Sequence, residues 1–292
     1  MKHIDQNKLN QKMKTRLVVN KFYKGLFFLA TMFGIAVLAI LIYRILSQGI
    51  GYLSLDFLMN FPSRRPEDSG ISAALVGSLM LMVVVIPVSV LLGVGTAIYL
   101  EQYAAKNRFT NFIQTNIQNL AGVPSIVFGL LGLTIFVRYM SLGDSLLAGG
   151  LTMSLLILPI IVVASQEAIR SVPNSLSEAS FGMGATKWQT IRRIVLPAAI
   201  PGIITGSILA LSRAIGETAP LIIIGAATFA PFYPQSLLDQ FTAMPIQIFG
   251  WVAKPQAEFQ YVAAAGIIVL LIILLLMNSI AVFIRNKFQK RY

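Results

Sequence analysis

Six apolar stretches, each close to the roughly 20 residues a helix needs to cross a hydrocarbon core, dominate this chain. They cover about 26–46, 75–100, 117–137, 146–164, 198–224 and 261–284. Charged residues make up only 12% of the 292, about half the share of a soluble domain. That is too little charge to clothe a water-facing surface. The expectation is an all-α, polytopic membrane protein with six transmembrane helices. The first stretch is too long for the apolar part of a secretory leader, and no small-residue cleavage pattern follows it, so it reads as a retained span.

Charge sets the orientation. With both ends in the cytoplasm, 17 Lys/Arg fall inside and 5 outside, the bias that places basic loops on the inner face. The net charge of +12 therefore reads as membrane topology, with no call for a nucleic-acid partner. There is no cysteine, and the single histidine is His3. Thiolate sites, most zinc sites and most histidine acid–base chemistry are thereby excluded.

The chain divides into a basic cytoplasmic tail (1–25), a first span (26–46), an extracytoplasmic loop (47–74), a five-helix core (75–284) and a short cytoplasmic tail (285–292). The N-terminal tail reads as an orientation signal that touches anionic lipid, with partner binding as the alternative. The outer loop of about 230–259 interleaves Phe232, Tyr233, Phe241, Phe249 and Trp251 with prolines. It predicts a short interfacial or re-entrant piece, where a soluble binding protein would dock. Pro87, Pro124, Pro159, Pro201 and Pro220 fall within spans, a pattern tolerated where neighbouring helices satisfy the freed carbonyls.

One cytoplasmic segment stands apart. Ser175-x-x-Glu178 matches a capping box, and Leu176, Ala179 and Met183 share one helical face. Gly184 allows a tight exit, and Pro197 opens the next span. A short amphipathic helix of this kind, about 175–186, can dock in a groove of another protein; an ordinary surface loop is the alternative. The spacing Glu178-Ala-Ser-Phe-Gly-Met-Gly184 and then Ile194-Val-Leu-Pro197 resembles the coupling loop of bacterial ABC-importer permeases. That resemblance assigns Glu178, Ala179 and Gly184 to contact with an ATPase. Gly182-Met-Gly-Ala-Thr-Lys187 lacks the spacing of a phosphate-binding P-loop, so ATP and Mg belong to a separate subunit and this chain holds no cofactor or metal of its own.

The fifth stretch carries the costliest residues. Arg213 lies roughly 20 Å into a core about 30 Å thick, where an arginine costs on the order of 3 kcal/mol. It must face a protein interior, a partner or a water-filled path. Glu217, four residues on, is placed to pair with it. Two readings stand: a structural ion pair, or a guanidinium fork for an oxyanion path with Glu217 holding it between transport events.

Ser212-Arg-Ala-Ile-Gly-Glu-Thr-Ala-Pro220, Gly122-Val-Pro-Ser-Ile-Val-Phe-Gly129 and Gly70-Ile-Ser-Ala-Ala-Leu-Val-Gly-Ser78 together resemble the phosphate ABC-importer permeases of PstA type, over about 70–284. The resemblance implies a multi-pass subunit of the bacterial inner membrane without enzymatic activity of its own. It implies a heterodimer with a PstC-like permease, a cytoplasmic ATPase dimer, an extracytoplasmic phosphate-binding protein, and a substrate path at Arg213 and Glu217. Some relatives carry a second basic residue late in the fourth span; Ile160-Ile-Val-Val-Ala-Ser165 has none. The alternatives are a permease for another oxyanion, sulfate or molybdate, and an intramembrane enzyme. The latter lacks the clustered acids or Ser–His dyad its chemistry needs.

Overall fold

The computed structural model describes residues 6–288; His3 and the last four residues of the C-terminal tail lie outside them. Every long element is helical. α1 (Gln6–Gly49) makes one rod of the described basic tail and the first apolar run, since no proline interrupts a sequence rich in Lys, Gln and Leu. It runs along α12 (Glu258–Phe288) and otherwise stands outside the bundle. The short α2 (Leu55–Met59) is capped by Ser54. α3 (Ser72–Ile98) ends in a π-helical turn, Tyr99–Tyr103.

The third apolar run is not one straight span. α4 (Arg108–Leu120) and α5 (Ser125–Gly132, extended to Tyr139 by a π-helical segment) meet at a bend of 105°. Pro124 disfavours helix at the residue before it, and Gly122 offers no resistance to the turn. α6 (Leu146–Arg170) is the most enclosed of the long helices, packed by α3, α5 and α9. α7 (Asn174–Gly182) and α8 (Lys187–Thr190) form the cytoplasmic segment. A π-helical turn, Ile191–Val195, leads from α8 directly into α9 (Leu196–Gly216). The fifth run then breaks at Glu217 and resumes as α10 (Ala219–Ile223). Pro124 and Pro220 therefore stand at helix starts, where a missing N–H costs nothing, while Pro87, Pro159 and Pro201 lie inside helices. Among the described residues five helices are long and apolar enough to cross a membrane, and the bent α4–α5 pair makes a sixth.

Small residues set a close helix contact between α6 and α9. On α9, Gly202-Ile-Ile-Thr-Gly206 lays its glycines against Ala164 and Ala168 of α6, the small-x-x-x-small seam that lets backbones approach in a membrane.

On the outer side, α11 (Met244–Val252) is the short piece expected between the last two spans, but it is packed on α3 and α12. Its Trp251 is fully buried against Phe57, and Phe241 is buried as well; neither is free to face a membrane interface, whereas Phe232, Tyr233 and Phe249 are exposed. The loop before α11 also closes the outer end of α6. The N–H groups of Leu146 and Leu147 donate to Asp239 O (3.0 Å) and Leu237 O (2.8 Å), and the Ser145 hydroxyl accepts from Ala148 N–H. The Ser236 hydroxyl and the N–H groups of Gln235 and Ser236 hold the Asp239 carboxyl below the usual carboxylate range, which keeps this turn closed.

The segment Gly70–Ser78 serves this loop. Ser78 accepts the Met244 N–H at 2.8 Å, and any side chain on Gly77 would run into the carbonyl of Thr242. Gly77→Val is expected to destabilise the protein by about 3 kcal/mol, a Tm lower by roughly 8 °C. Thermal unfolding in detergent measures it; an unchanged Tm would mean that the loop does not press on α3.

Candidate functional site

Two places concentrate functional groups, and one continuous helix joins them. The first is the break after α9. Arg213 Nε donates to Glu217 Oε1 at 3.1 Å. The pair expected from the sequence forms, but not along one helical face. The helix ends at Gly216, and Glu217 has extended backbone (φ −76°, ψ 128°) with its N–H on Ala214 O. Ending there puts the guanidinium in the last turn of α9, beside the partial negative charge of its carbonyls.

The neighbours of Arg213 fix where it points. Ser212 donates to Ile208 O and reaches Asn278 Oδ1 of α12 at 2.6 Å, while Ala214 and Ile215 are buried in the main core. Arg213 is left on the outward stripe of α9 with Leu209 and Gly216. Its side chain is 49% exposed and that of Glu217 19%. The interior of this bundle is therefore not its environment. A guanidinium has five N–H donors; Glu217 takes the one on Nε, and among the described residues nothing engages the four on the terminal nitrogens. Those four are the fork that matches a tetrahedral oxyanion.

Two of the three segments that carry the family likeness meet here. α10 packs on α5, and a Cβ on Gly129 would lie 2.9 Å from Pro220 Cα. The glycine that ends one motif is thus the seat of the proline that ends the other.

The second place is the cytoplasmic turn. α7 starts after Pro173 without a side-chain cap. The capping box read at Ser175 and Glu178 does not form, because α7 already begins at Asn174 and Ser175 lies within its first turn. A capping box does form eleven residues on. Gln189 N–H donates to Thr186 Oγ1 (3.3 Å) and Thr186 N–H donates to Gln189 Oε1 (2.8 Å). Gly184 has φ +84°, a conformation that favours glycine, and this reversal folds α8 back on α7. A buried Ser180–Thr190 hydroxyl pair at 2.9 Å pins the two together.

Glu178 and Ala179 are exposed, as is Gly184. Leu176 is half-buried, so the expected Leu176–Ala179–Met183 face is not the apolar surface presented. That surface is Phe181, Met183 (85% exposed) and Trp188. Lys187 Nζ lies 5.0 Å over the Tyr103 ring, tying the turn to the end of α3.

Sequence reasoning missed one cluster outright. Arg170 at the end of α6 donates to both carboxylate oxygens of Glu101 (2.9 and 2.6 Å) and to Glu167 (3.0 Å), and Gln166 donates to Glu101 at 3.0 Å. It closes one wall of a cavity of about 540 Å³ between α4, α6 and α7, also lined by Lys106, Asn111, Gln114 and Ser177. Glu101 stands more than sixty residues from Gln166 and Arg170 in the chain, beyond any local spacing rule.

Known proteins resemble this chain in sequence and in fold. Residues 89–291 match the family of binding-protein-dependent transport system inner membrane components. The probable ABC transporter permease protein YqgI of Bacillus subtilis is 36% identical over 213 residues, covering 73% of this chain and 72% of that protein. The phosphate transport system permease protein PstA of Yersinia pestis is 32% identical over 263 residues, 89% and 88% of the two chains. Among solved structures, a bacterial alginate ABC transporter aligns over 94% of this chain and 98% of its own with a TM-score of 0.57 at 16% identity. The MetNI methionine transporter aligns over 75% of this chain and 93% of its own, with a TM-score of 0.54 at 19%; both likenesses are of fold. The chain belongs to the binding-protein-dependent transport system inner membrane component family, and is a multi-pass, non-catalytic permease subunit of an ABC importer in the inner membrane.

Proposed function

We propose that this chain is the PstA-type permease of an importer of inorganic phosphate. It pairs with a PstC-like permease, is driven by a cytoplasmic ATPase dimer that holds ATP and magnesium, and is supplied by an extracytoplasmic phosphate-binding protein. The observation that carries the reading is the guanidinium of Arg213, turned out of its own bundle with four donors unengaged among the described residues. The likeness to the phosphate transport system permease of Yersinia pestis supports the choice of anion.

Mechanically, the two places act as ends of one lever. The helix runs from Lys187 to Gly216 without a break, so a force on the Glu178–Gly184 turn reaches Arg213, roughly 40 Å away along the axis at 1.5 Å per residue. ATP binding draws the ATPases together, moves this turn and swings the permease core (75–284) between inward- and outward-facing states. Phosphate passes Arg213 at the junction of the two permeases. Glu217 holds the guanidinium when no anion is present, which keeps the charge paired inside the membrane. No bond of the substrate is made or broken.

The test is uptake by the complete importer in proteoliposomes, with ATP inside and labelled phosphate outside together with its binding protein. ATP-dependent accumulation of phosphate, not displaced by sulfate or molybdate, is the expected result. Accumulation of sulfate or molybdate in place of phosphate would overturn the substrate and leave the importer.

A further inference from the structure

We infer that α4 is an in-plane anchor for anionic lipid of the cytoplasmic leaflet. The bend of 105° sets α4 nearly at right angles to α5, and α5 packs on α10 and on α6, itself long and apolar enough to cross a membrane. Ser125–Tyr139 is only about 22 Å long at 1.5 Å per residue, against a hydrocarbon core of roughly 30 Å. The shortfall of about 8 Å matches the depth at which an interfacial helix lies, about 5–10 Å into the headgroup boundary.

The faces of α4 are chemically distinct. Phe109, Phe112, Ile113, Ile117 and Leu120 recur at helical spacing on one side, with Phe109 70% and Phe112 66% exposed. Asn116, the polar residue within that stripe, turns its amide back to donate to Phe112 O at 2.8 Å, as a side chain in an apolar medium must. Thr110, Asn111 and Gln114 face the other way and line the cavity beside Arg170.

Charge names the occupant. Arg108 and Lys106, the latter also at the edge of that cavity, stand exposed where α4 begins, and among the described residues neither makes a salt bridge. No Asp or Glu occurs between Glu101 and Asp144. A basic start and an apolar face without acid fit the negative surface of the cytoplasmic leaflet. This inference does not depend on the transported anion.

The native chain has no cysteine, so a fluorophore can be placed by F109C or F112C in the assembled importer, provided the other subunits are cysteine-free. The complex is reconstituted in phosphatidylcholine and phosphatidylglycerol in equal parts, with bromine on the acyl chains of one lipid or the other. Quenching at both positions is expected, stronger with brominated phosphatidylglycerol. In K106E/R108E this preference should fall by roughly tenfold, whereas K106R/R108K should retain it. Equal quenching by both lipids would overturn the anionic assignment. Labels shielded from lipid and water alike, with cross-linking from F109C to the second permease, would make this face a subunit interface instead.

Discussion

Arg213→Ala is expected to reduce ATP-driven uptake by about two orders of magnitude or more while the importer still assembles. Two effects add. A charge-assisted hydrogen bond contributes about 1.5–3 kcal/mol, and a forked guanidinium makes two to an oxyanion. The variant also leaves the Glu217 carboxylate without its partner in a place where an unpaired charge is expensive. The double variant Arg213→Ala with Glu217→Ala separates the two. If the pair were only structural, removing both charges would restore uptake. If Arg213 serves the anion, the double variant stays inactive. Uptake in proteoliposomes, with co-purification of the ATPase as the assembly control, reads both. Arg213→Lys should retain a fraction of activity, since it keeps the charge and loses the planar fork.

The second large effect is expected at the cytoplasmic turn. Phe181→Asp combined with Met183→Asp should weaken ATPase association at least about 100-fold, because buried anchors at interfaces carry about 2 kcal/mol or more each. Both side chains are exposed at the reversal around Gly184, so neither change disturbs the core of this subunit. Binding of the purified ATPase to the permease pair in detergent is the measurement. Loss of binding with the permease pair intact is the expected outcome; unchanged binding would relegate the turn to an ordinary surface loop.

Much of this architecture is legible in the chain because a bilayer admits few solutions. Helical spans follow from the length of apolar runs, and the Arg213–Glu217 pair follows from the cost of charge in hydrocarbon. What the sequence hid is where a run stops being straight. Hydropathy averaged over twenty residues is blind to Gly122 and Pro124, and it carries the fifth span through Glu217, where the backbone leaves the helix. The capping box at Ser175 was a pattern without its geometry, while the one that forms, Thr186 to Gln189, was in plain view. The apolar surface of the turn differs from the expected one because a helical wheel cannot represent the reversal at Gly184 that adds Trp188 to it. The Gly202–Gly206 seam was readable from a known spacing. The Glu101–Arg170 cluster was not, since nothing local joins α3 to α6.

The outer end of α6 carries a consequence for how the protein is made. Its first amides are satisfied by the carbonyls of Leu237 and Asp239, which are synthesised roughly ninety residues later. At about 5–20 residues per second, the helix at the centre of the bundle waits on the order of ten seconds with that end unclosed. During biogenesis the insertion machinery, or water at the outer surface, must hold those groups until the loop arrives. A ribosome stalled between the fourth and fifth spans would therefore leave a nascent chain whose central helix is inserted but open at its outer end, the form most exposed to quality-control proteases.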